Sequence, residues 1–74
     1  MRRPKANMIL EANIMKKGDT NETLAGYLGK DKSTVANKRN GDSDWNVGEM
    51  MALSRRYEFT EAQFLEAFFP ELFE

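Results

Sequence analysis

The chain has 74 residues, enough for one small domain that buries only about 60% of the surface its unfolded form exposes. It contains 0 Cys and 0 His, which excludes disulfides, Cys/His zinc sites and catalytic relays built on either residue. Its 41% hydrophobic and 31% charged residues are typical of a soluble globular protein. We therefore expect a small binding module rather than an enzyme, with no cofactor and no metal.

The net charge of -1 conceals an unequal distribution along the chain, since residues 1–40 carry +5 and residues 41–74 carry -6. Nine basic side chains lie in the first part: Arg2, Arg3, Lys5, Lys16, Lys17, Lys30, Lys32, Lys38 and Arg39. Because binding to nucleic acid depends on a local patch rather than on the average charge, this part is a candidate DNA surface. The alternative interpretation is two solvated surfaces that differ in charge without functional meaning.

The sequence predicts a protein of the cytoplasm without a membrane partner. No apolar run approaches the ~20 residues that span a bilayer. Asn7, Glu11 and Asn13 interrupt the apolar stretch that a signal peptide needs. With no repeat and no long linker, residues 1–74 are expected to form a single domain.

Hydrophobic spacing and turn signals predict five short helices and no strand. Leu10 and Ile14 indicate a helix over residues 6–17, after Pro4 and before Gly18. The other predicted helices are 21–28 after Thr20, 32–39 after Asp31, one after Asn46 that contains Met50, Leu53 and Tyr57, and 61–69 after Thr60. Asp31 is expected to accept a hydrogen bond from the N–H of Thr34. The prediction is an all-α bundle of four to five helices.

The segment 20–41 has the spacing of a helix-turn-helix. Ala25 is a small residue where two helices cross closely, Gly29 allows the chain to reverse, and Val35 packs the second helix on the first. This arrangement places the second helix in the DNA major groove in such proteins. An αα-hairpin without a DNA role is the alternative.

The exposed face of the second helix carries the side chains that favour DNA binding. Five polar residues lie on it: Lys32, Ser33, Thr34, Asn37 and Lys38. Lysine addresses guanine O6 or N7, asparagine pairs with adenine, and serine or threonine bonds to base edges or phosphates. We expect these five to contact bases, although a merely solvated face is the alternative.

The chain resembles the small phage and prophage repressor/Cro proteins, the XRE-like helix-turn-helix family, whose fold is lambda-repressor-like. The resemblance covers residues 7–69 and rests on KKGDTNETLAGYLGKDKSTVANKRNG and DWNVGEMMALSRRYEFTEAQF. It implies that Asn21, at the position of a family glutamine, contacts a DNA phosphate. It also implies that Asn40 and Gly41, in the loop after the recognition helix, bind a phosphate through main-chain N–H groups.

Three positions depart from the family pattern, which has apolar residues where this chain has Asp19, Lys30 and Arg39. Lys30 and Arg39 are expected to lay their aliphatic stems over the core, which places two more cations near the DNA phosphates. Asp19 forfeits a hydrophobic staple against Leu24.

Six of the eight aromatic residues lie in the last 18 positions. In the C-terminal aromatic helix and tail, residues 60–74, we expect Phe64, Leu65 and Phe68 to close the core over the first helix. Phe69, Leu72 and Phe73 are then predicted to form a dimer surface or a dock for another regulator. Trp45 is expected to pack against the fourth helix rather than to stack on a base.

The leading functional prediction is a sequence-specific regulator of transcription that binds double-stranded DNA. It would be a Cro-type repressor acting as a homodimer on an operator. The alternative is an interaction protein on the same fold, which binds and modulates another phage repressor with little DNA contact of its own. Catalysis is not expected, because the sequence offers no nucleophile–base pair and no phosphate-binding glycine loop.

Overall fold

The computed structural model describes residues 4–73, and it describes the side-chain surroundings of residues 8–72. Over this part of the chain the protein consists of α-helices, a final 3-10 helix and no β-strand. The helices are α1 (Pro4–Lys17), α2 (Asn21–Leu28), α3 (Lys32–Asn40), α4 (Val47–Tyr57) and α5 (Glu61–Phe68), and the 3-10 helix is Pro70–Phe73. The predicted all-α bundle is confirmed.

Side chains cap the starts of three helices as predicted. Thr20, Asn46 and Thr60 each accept a hydrogen bond from the backbone N–H three residues later. In each case the third residue returns a hydrogen bond to the capping residue's own backbone, which completes a capping box. The start of α1 differs from the prediction, because Pro4 is its first residue rather than lying before it. Proline suits the first helical turn, where its missing N–H would have no partner.

Asp31 precedes α3 as predicted, but its carboxylate makes no capping hydrogen bond. The expected bond from the N–H of Thr34 is therefore absent, and that prediction was wrong. The backbone carbonyl of Asp31 instead accepts from the N–H of Val35 at 3.1 Å, as the helix itself requires. The start of α3 is thus held by the backbone and by tertiary contacts, with an exposed carboxylate beside it.

Left-handed residues end α2 and α3. Gly29 has φ 68° and Gly41 has φ 85°, conformations that favour glycine because it lacks a Cβ. After Gly29 the N–H of Lys30 donates to the carbonyl of Ala25 at 3.0 Å, which completes the C-terminal cap of α2. The chain therefore reverses between α2 and α3 within three residues, Gly29 to Asp31.

The core joins side chains from every helix. Its buried members are Leu10, Ile14, Leu24, Ala25, Val35, Trp45, Met50, Leu53, Ala67 and Phe68. Helix α1 packs against α5, and α2 packs against α3. The expected closure of the core by the aromatic helix over Leu10 and Ile14 is confirmed for Phe68, which is buried, and for Phe64, which is half-buried against it. Leu65 was expected to join them, but it is half-buried outside this core and lines a surface groove. None of the described helices is long and apolar enough to span a bilayer.

Candidate nucleic-acid interface

The α2–α3 pair has the close crossing that the sequence predicts. Leu24, Ala25 and Val35 are buried between the two helices and the rest of the core. Val35 is the one fully buried side chain of α3. Burying a valine contributes about 1.5–3 kcal/mol. Four residues of the same helix are exposed: Lys32, Ser33, Asn37 and Asn40.

The first two turns of α3 present polar side chains to solvent. Lys32, Ser33 and Asn37 are exposed, and Thr34 is half-buried. Lys30, in the turn before the helix, is exposed as well. Neither Lys30 nor Lys32 forms an ion pair with a side chain among residues 8–72. These two lysines therefore remain available to an anionic partner.

Lys38 is placed differently from Lys32, although both were expected to contact bases. Its Nζ lies 2.5 Å from Oε1 of Glu49 in α4, and the two side chains are 13% and 5% exposed. The same ammonium lies 6.0 Å from the centre of the Trp45 ring, which is buried as predicted. Its charge is thus matched inside the protein, and Lys38 connects α3 to α4 rather than extending outwards.

Glu49 serves both the cap of α4 and this ion pair. Its Oε1 also accepts from the backbone N–H of Asn46 at 2.9 Å, in the capping box of α4. Its Oε2 is buried without a hydrogen-bond partner among the described residues. One carboxylate oxygen therefore holds both the start of α4 and the end of α3.

Arg39 is also paired inside the protein. Its Nε and Nη2 donate to the two carboxylate oxygens of Glu11 in α1 at 2.7 and 2.6 Å. Its Nη1 donates to Oδ1 of Asn21 at 2.7 Å. The hydrogen bonds to Glu11 raise the pKa of the guanidinium above its usual value. Arg39 was expected to bring a cation close to phosphate, but its guanidinium fork is occupied by α1 and α2.

The loop after α3 differs from the prediction for main-chain phosphate binding. The N–H of Gly41 donates to the carbonyls of Asn37 and Lys38, so it ends the helix instead of pointing to a ligand. The N–H of Asp42 also donates to the carbonyl of Asn37, at 2.9 Å. The expected main-chain contact through Gly41 is therefore not supported by this geometry. Asn40 was also expected to bind through its main chain from the loop, but it is the last residue of α3, and its exposed side chain is the part that is free to reach a phosphate.

Asp19 is the centre of a polar cluster that the sequence did not reveal. Its carboxylate accepts from Arg56 at 2.6 and 2.8 Å, from the hydroxyl of Tyr57 at 2.7 Å and from that of Thr23 at 3.0 Å. The hydrogen bonds from Arg56 hold the pKa of Asp19 well below its usual range. Burial, followed by the hydrogen bond to Asp19, raises the pKa of Tyr57. This cluster fastens the start of α2 to the end of α4.

The proposed dimer tail is only partly available as a surface. Phe69 is half-buried against the core, with its ring centre 6.2 Å from that of Phe64. Leu72 is exposed, and the side chain of Phe73 lies outside the described residues. Of the two tail side chains that the structure describes, Leu72 is therefore exposed as expected and Phe69 is not.

Three acids were not predicted as site residues: Glu11, Asp19 and Glu49. Glu11 and Glu49 hold the end of α3, and Asp19 joins α2 to α4. Glu49 had a local signal, because it lies three residues after the cap Asn46, where a capping box places a glutamate. The other two pair across 28 and 37 positions of sequence, and no local pattern reports such a pairing.

The chain matches no protein-family model, no curated protein and no solved structure. No group of three or more metal-ligating side chains occurs within the described part of the chain. The geometry of α2, α3 and their neighbours is therefore the main indication of function.

Proposed function

We propose that the protein is a sequence-specific regulator of transcription of the Cro type, which binds a double-stranded DNA operator as a dimer in the cytoplasm. The observation that carries this proposal is the outward face of α3. There Lys32, Ser33 and Asn37 are exposed, α3 contains no acid, and Lys30 and Lys32 have no internal counterion among the described residues.

In this proposal the first half of α3 reads the bases. Lys32 donates to guanine, Asn37 pairs with adenine, and Ser33 bonds to a base edge or a phosphate. The half-buried Thr34 has a shorter reach than these three. Ser33 and Asn37 lie on the side of α3 opposite to the buried Val35, and Lys32 is exposed in the first turn. These side chains can therefore enter a groove without disturbing the packing.

The phosphate contacts come from three side chains around this face. Lys30 is exposed just before the start of α3, and Asn40 is exposed at its end. Asn21 accepts from Arg39 through Oδ1, which leaves its Nδ2 amide hydrogens for a phosphate oxygen. Lys38 and Arg39 act in this proposal by fixing the orientation of α3, not by touching DNA.

The dimensions of the molecule favour a two-fold arrangement. Two recognition helices must reach half-sites about 34 Å apart, and the chain measures 32 × 26 × 21 Å. Two copies side by side are therefore large enough to span one helical turn of DNA.

Enrichment of random duplex DNA on the purified protein, followed by a salt series on the recovered site, tests the proposal. With Lys30 and Lys32 as the unpaired cations of the proposed DNA face in each protomer, a dimer neutralises about four phosphates. The slope of log K against log[salt] should then be about -4, against about -7 if Lys38 and Arg39 also reached DNA. Absence of both a motif and a salt dependence would contradict DNA binding.

Variants of α3 sharpen this test. Lys32→Ala and Asn37→Ala should each lose selectivity at one base pair, about 1–3 kcal/mol of discrimination, with little change in unfolding free energy because both side chains are exposed. Lys16→Ala removes an equally exposed lysine from α1 and serves as the control. Selectivity that is unchanged in both α3 variants would overturn the assignment of this helix.

The second candidate is an interaction protein on the same fold that binds another repressor. The internal pairing of Lys38 and Arg39 favours it, because it leaves the motif less basic than its sequence suggests. Binding to such a partner through apolar side chains would change little with salt, whereas DNA binding would fall steeply. The same salt series therefore separates the two functions.

A further inference from the structure

An apolar groove runs between α4 and α5 and encloses about 670 Å³. Val47 and Met51 line its α4 side, and Phe64 and Leu65 line its α5 side. Val47 is 64% exposed and Met51 50% exposed, and together with Phe64 and Leu65 they form an apolar patch rather than isolated exposed side chains. None of the lining residues belongs to α2 or α3, so an occupant of the groove leaves the proposed DNA face open.

The charges at the groove are self-complementary. Arg55 lines it from α4 and Glu61 lines it from α5. Both are exposed, and neither has an ion-pair partner among the described residues. In a two-fold interface, if a residue of one copy meets a second residue of its partner, the reverse contact forms as well. One cation and one anion on the same surface therefore produce two attractive pairs when two identical grooves meet.

We infer that this groove is the surface through which two copies of the chain associate. The inference rests on the dimer in the proposed function, and it replaces the tail of Phe69, Leu72 and Phe73 as the contact surface. Met51 of each copy covers the apolar floor of the other, and Arg55 of each copy pairs with Glu61 of its partner.

The size of the groove predicts a weak dimer. Nine residues line it, whereas a stable interface uses about 20–30 residues on each side. We therefore expect a dissociation constant in the micromolar range, about 1–100 µM. Sedimentation of the full chain without DNA, over a concentration series that brackets this range, measures it directly.

Met51→Lys is the first variant to test. It places a charge at the centre of the apolar contact, and the half-exposed position allows the variant to fold. We expect dimerisation to weaken at least tenfold. Met15→Lys is the matched control, because Met15 is 74% exposed on α1 and lies outside the groove. Equal sedimentation of Met51→Lys and wild type, or a wild type that stays monomeric throughout the series, would overturn the inference.

A charge exchange provides a test that loss of folding cannot imitate. Arg55→Glu alone creates two acid–acid contacts in a homodimer, and Glu61→Arg alone creates two base–base contacts. Each variant should dimerise about tenfold more weakly at low salt, since each of two exposed pairs changes sign. When the two variants are mixed, both contacts become attractive again, and a heterodimer should form. No recovery in the mixture would show that Arg55 and Glu61 do not face each other.

Different results would contradict the proposed dimer surface and the proposed DNA binding. A wild type that dimerises through the groove but gives no salt-dependent binding to DNA would contradict the proposed function and support the groove. A wild type that binds its enriched DNA site as a monomer, with Met51→Lys unchanged, would support DNA binding and contradict the groove.

Discussion

The two ends of α3 carry similar side chains in opposite surroundings. At its start Lys32 and the preceding Lys30 are exposed, with no internal counterion among the described residues. At its end Lys38 and Arg39 are held by Glu49 of α4 and by Glu11 of α1. The start of α3 therefore presents unpaired cations to solvent, whereas the cations at its end form ion pairs that connect α3 to α4 and α1.

The difference follows from how little of α3 is apolar. Val35 alone is buried in this helix, and one valine does not fix the rotation of a nine-residue helix about its axis. Two ion pairs with neighbouring helices supply directional contacts that the hydrophobic effect cannot. In the proposed function α3 must be held at a defined angle to the DNA, so the ion pairs that Lys38 and Arg39 form with α4 and α1 would support binding without touching DNA.

The largest expected effect comes from breaking the buried pair at the end of α3. Glu49→Gln keeps an oxygen to cap α4 but leaves the ammonium of Lys38 buried without a counterion. We expect a loss of about 3 kcal/mol in the free energy of unfolding, because an unpaired buried charge is costly. Urea denaturation measures this loss. The control is Glu22→Gln, an exposed acid in the first turn of α2, which should change stability by less than about 0.5 kcal/mol.

A double-mutant cycle tests whether the loss belongs to the pair. Lys38→Met alone leaves Glu49 buried without its cation and should also cost about 2–3 kcal/mol. In the Lys38→Met/Glu49→Gln protein both charges are absent, so its loss should fall short of the sum of the single losses by about 2 kcal/mol. Strictly additive losses would mean that the two side chains act independently, and would contradict a stabilising ion pair between Lys38 and Glu49.

The next effect concerns Asp19, whose polar cluster holds the α1–α2 corner on α4. Asp19→Asn removes the charge that Arg56 faces, and we expect about 2 kcal/mol of destabilisation at pH 7, since Arg56 is only partly buried. The pKa of Asp19 is lower in the folded than in the unfolded protein. Its contribution is therefore complete above its unfolded pKa, about 3.9, and declines as the pH falls below that value towards the folded pKa.

Unfolding of wild type and Asp19→Asn at pH 7 and at pH 3 checks this direction. The difference between the two proteins should be smaller at pH 3 than at pH 7, because wild-type Asp19 then contributes less. A difference that stays constant with pH would show that the substitution acts through shape rather than through the carboxylate.

The sequence predicts most of the fold because the relevant signals are local. Thr20, Asn46 and Thr60 cap the helices that follow them, and Gly29 ends α2 in the left-handed conformation that its position requires. The apolar spacing also places Leu10 and Ile14 correctly in the core. These features depend on neighbours within about four residues, so the chain alone contains them.

The candidate site is predicted less completely because its ion pairs are formed between distant residues. Arg39 meets Glu11 across 28 positions, and Lys38 meets Glu49 across 11. Helical periodicity places Lys32 and Arg39, seven residues apart, on one face of α3, but it does not tell which of them meets an acid from another helix. The same reasoning overestimated the tail, since Phe69 folds back on the core once the chain bends before Pro70.

The smallest effect on stability is expected for a substitution of Asp31, which tests whether the start of α3 approaches DNA. Its exposed carboxylate makes no capping bond and lies in sequence between the two free lysines, where it opposes an approaching phosphate. Asp31→Asn should leave the unfolding free energy within about 0.5 kcal/mol and raise DNA affinity about threefold at low salt, with less effect at high salt. Glu58→Gln removes the same charge beyond α4 and should leave the affinity unchanged. If the two variants bind DNA equally, the start of α3 does not approach the phosphates. This result would contradict the proposal that Lys30 and Lys32 contact DNA.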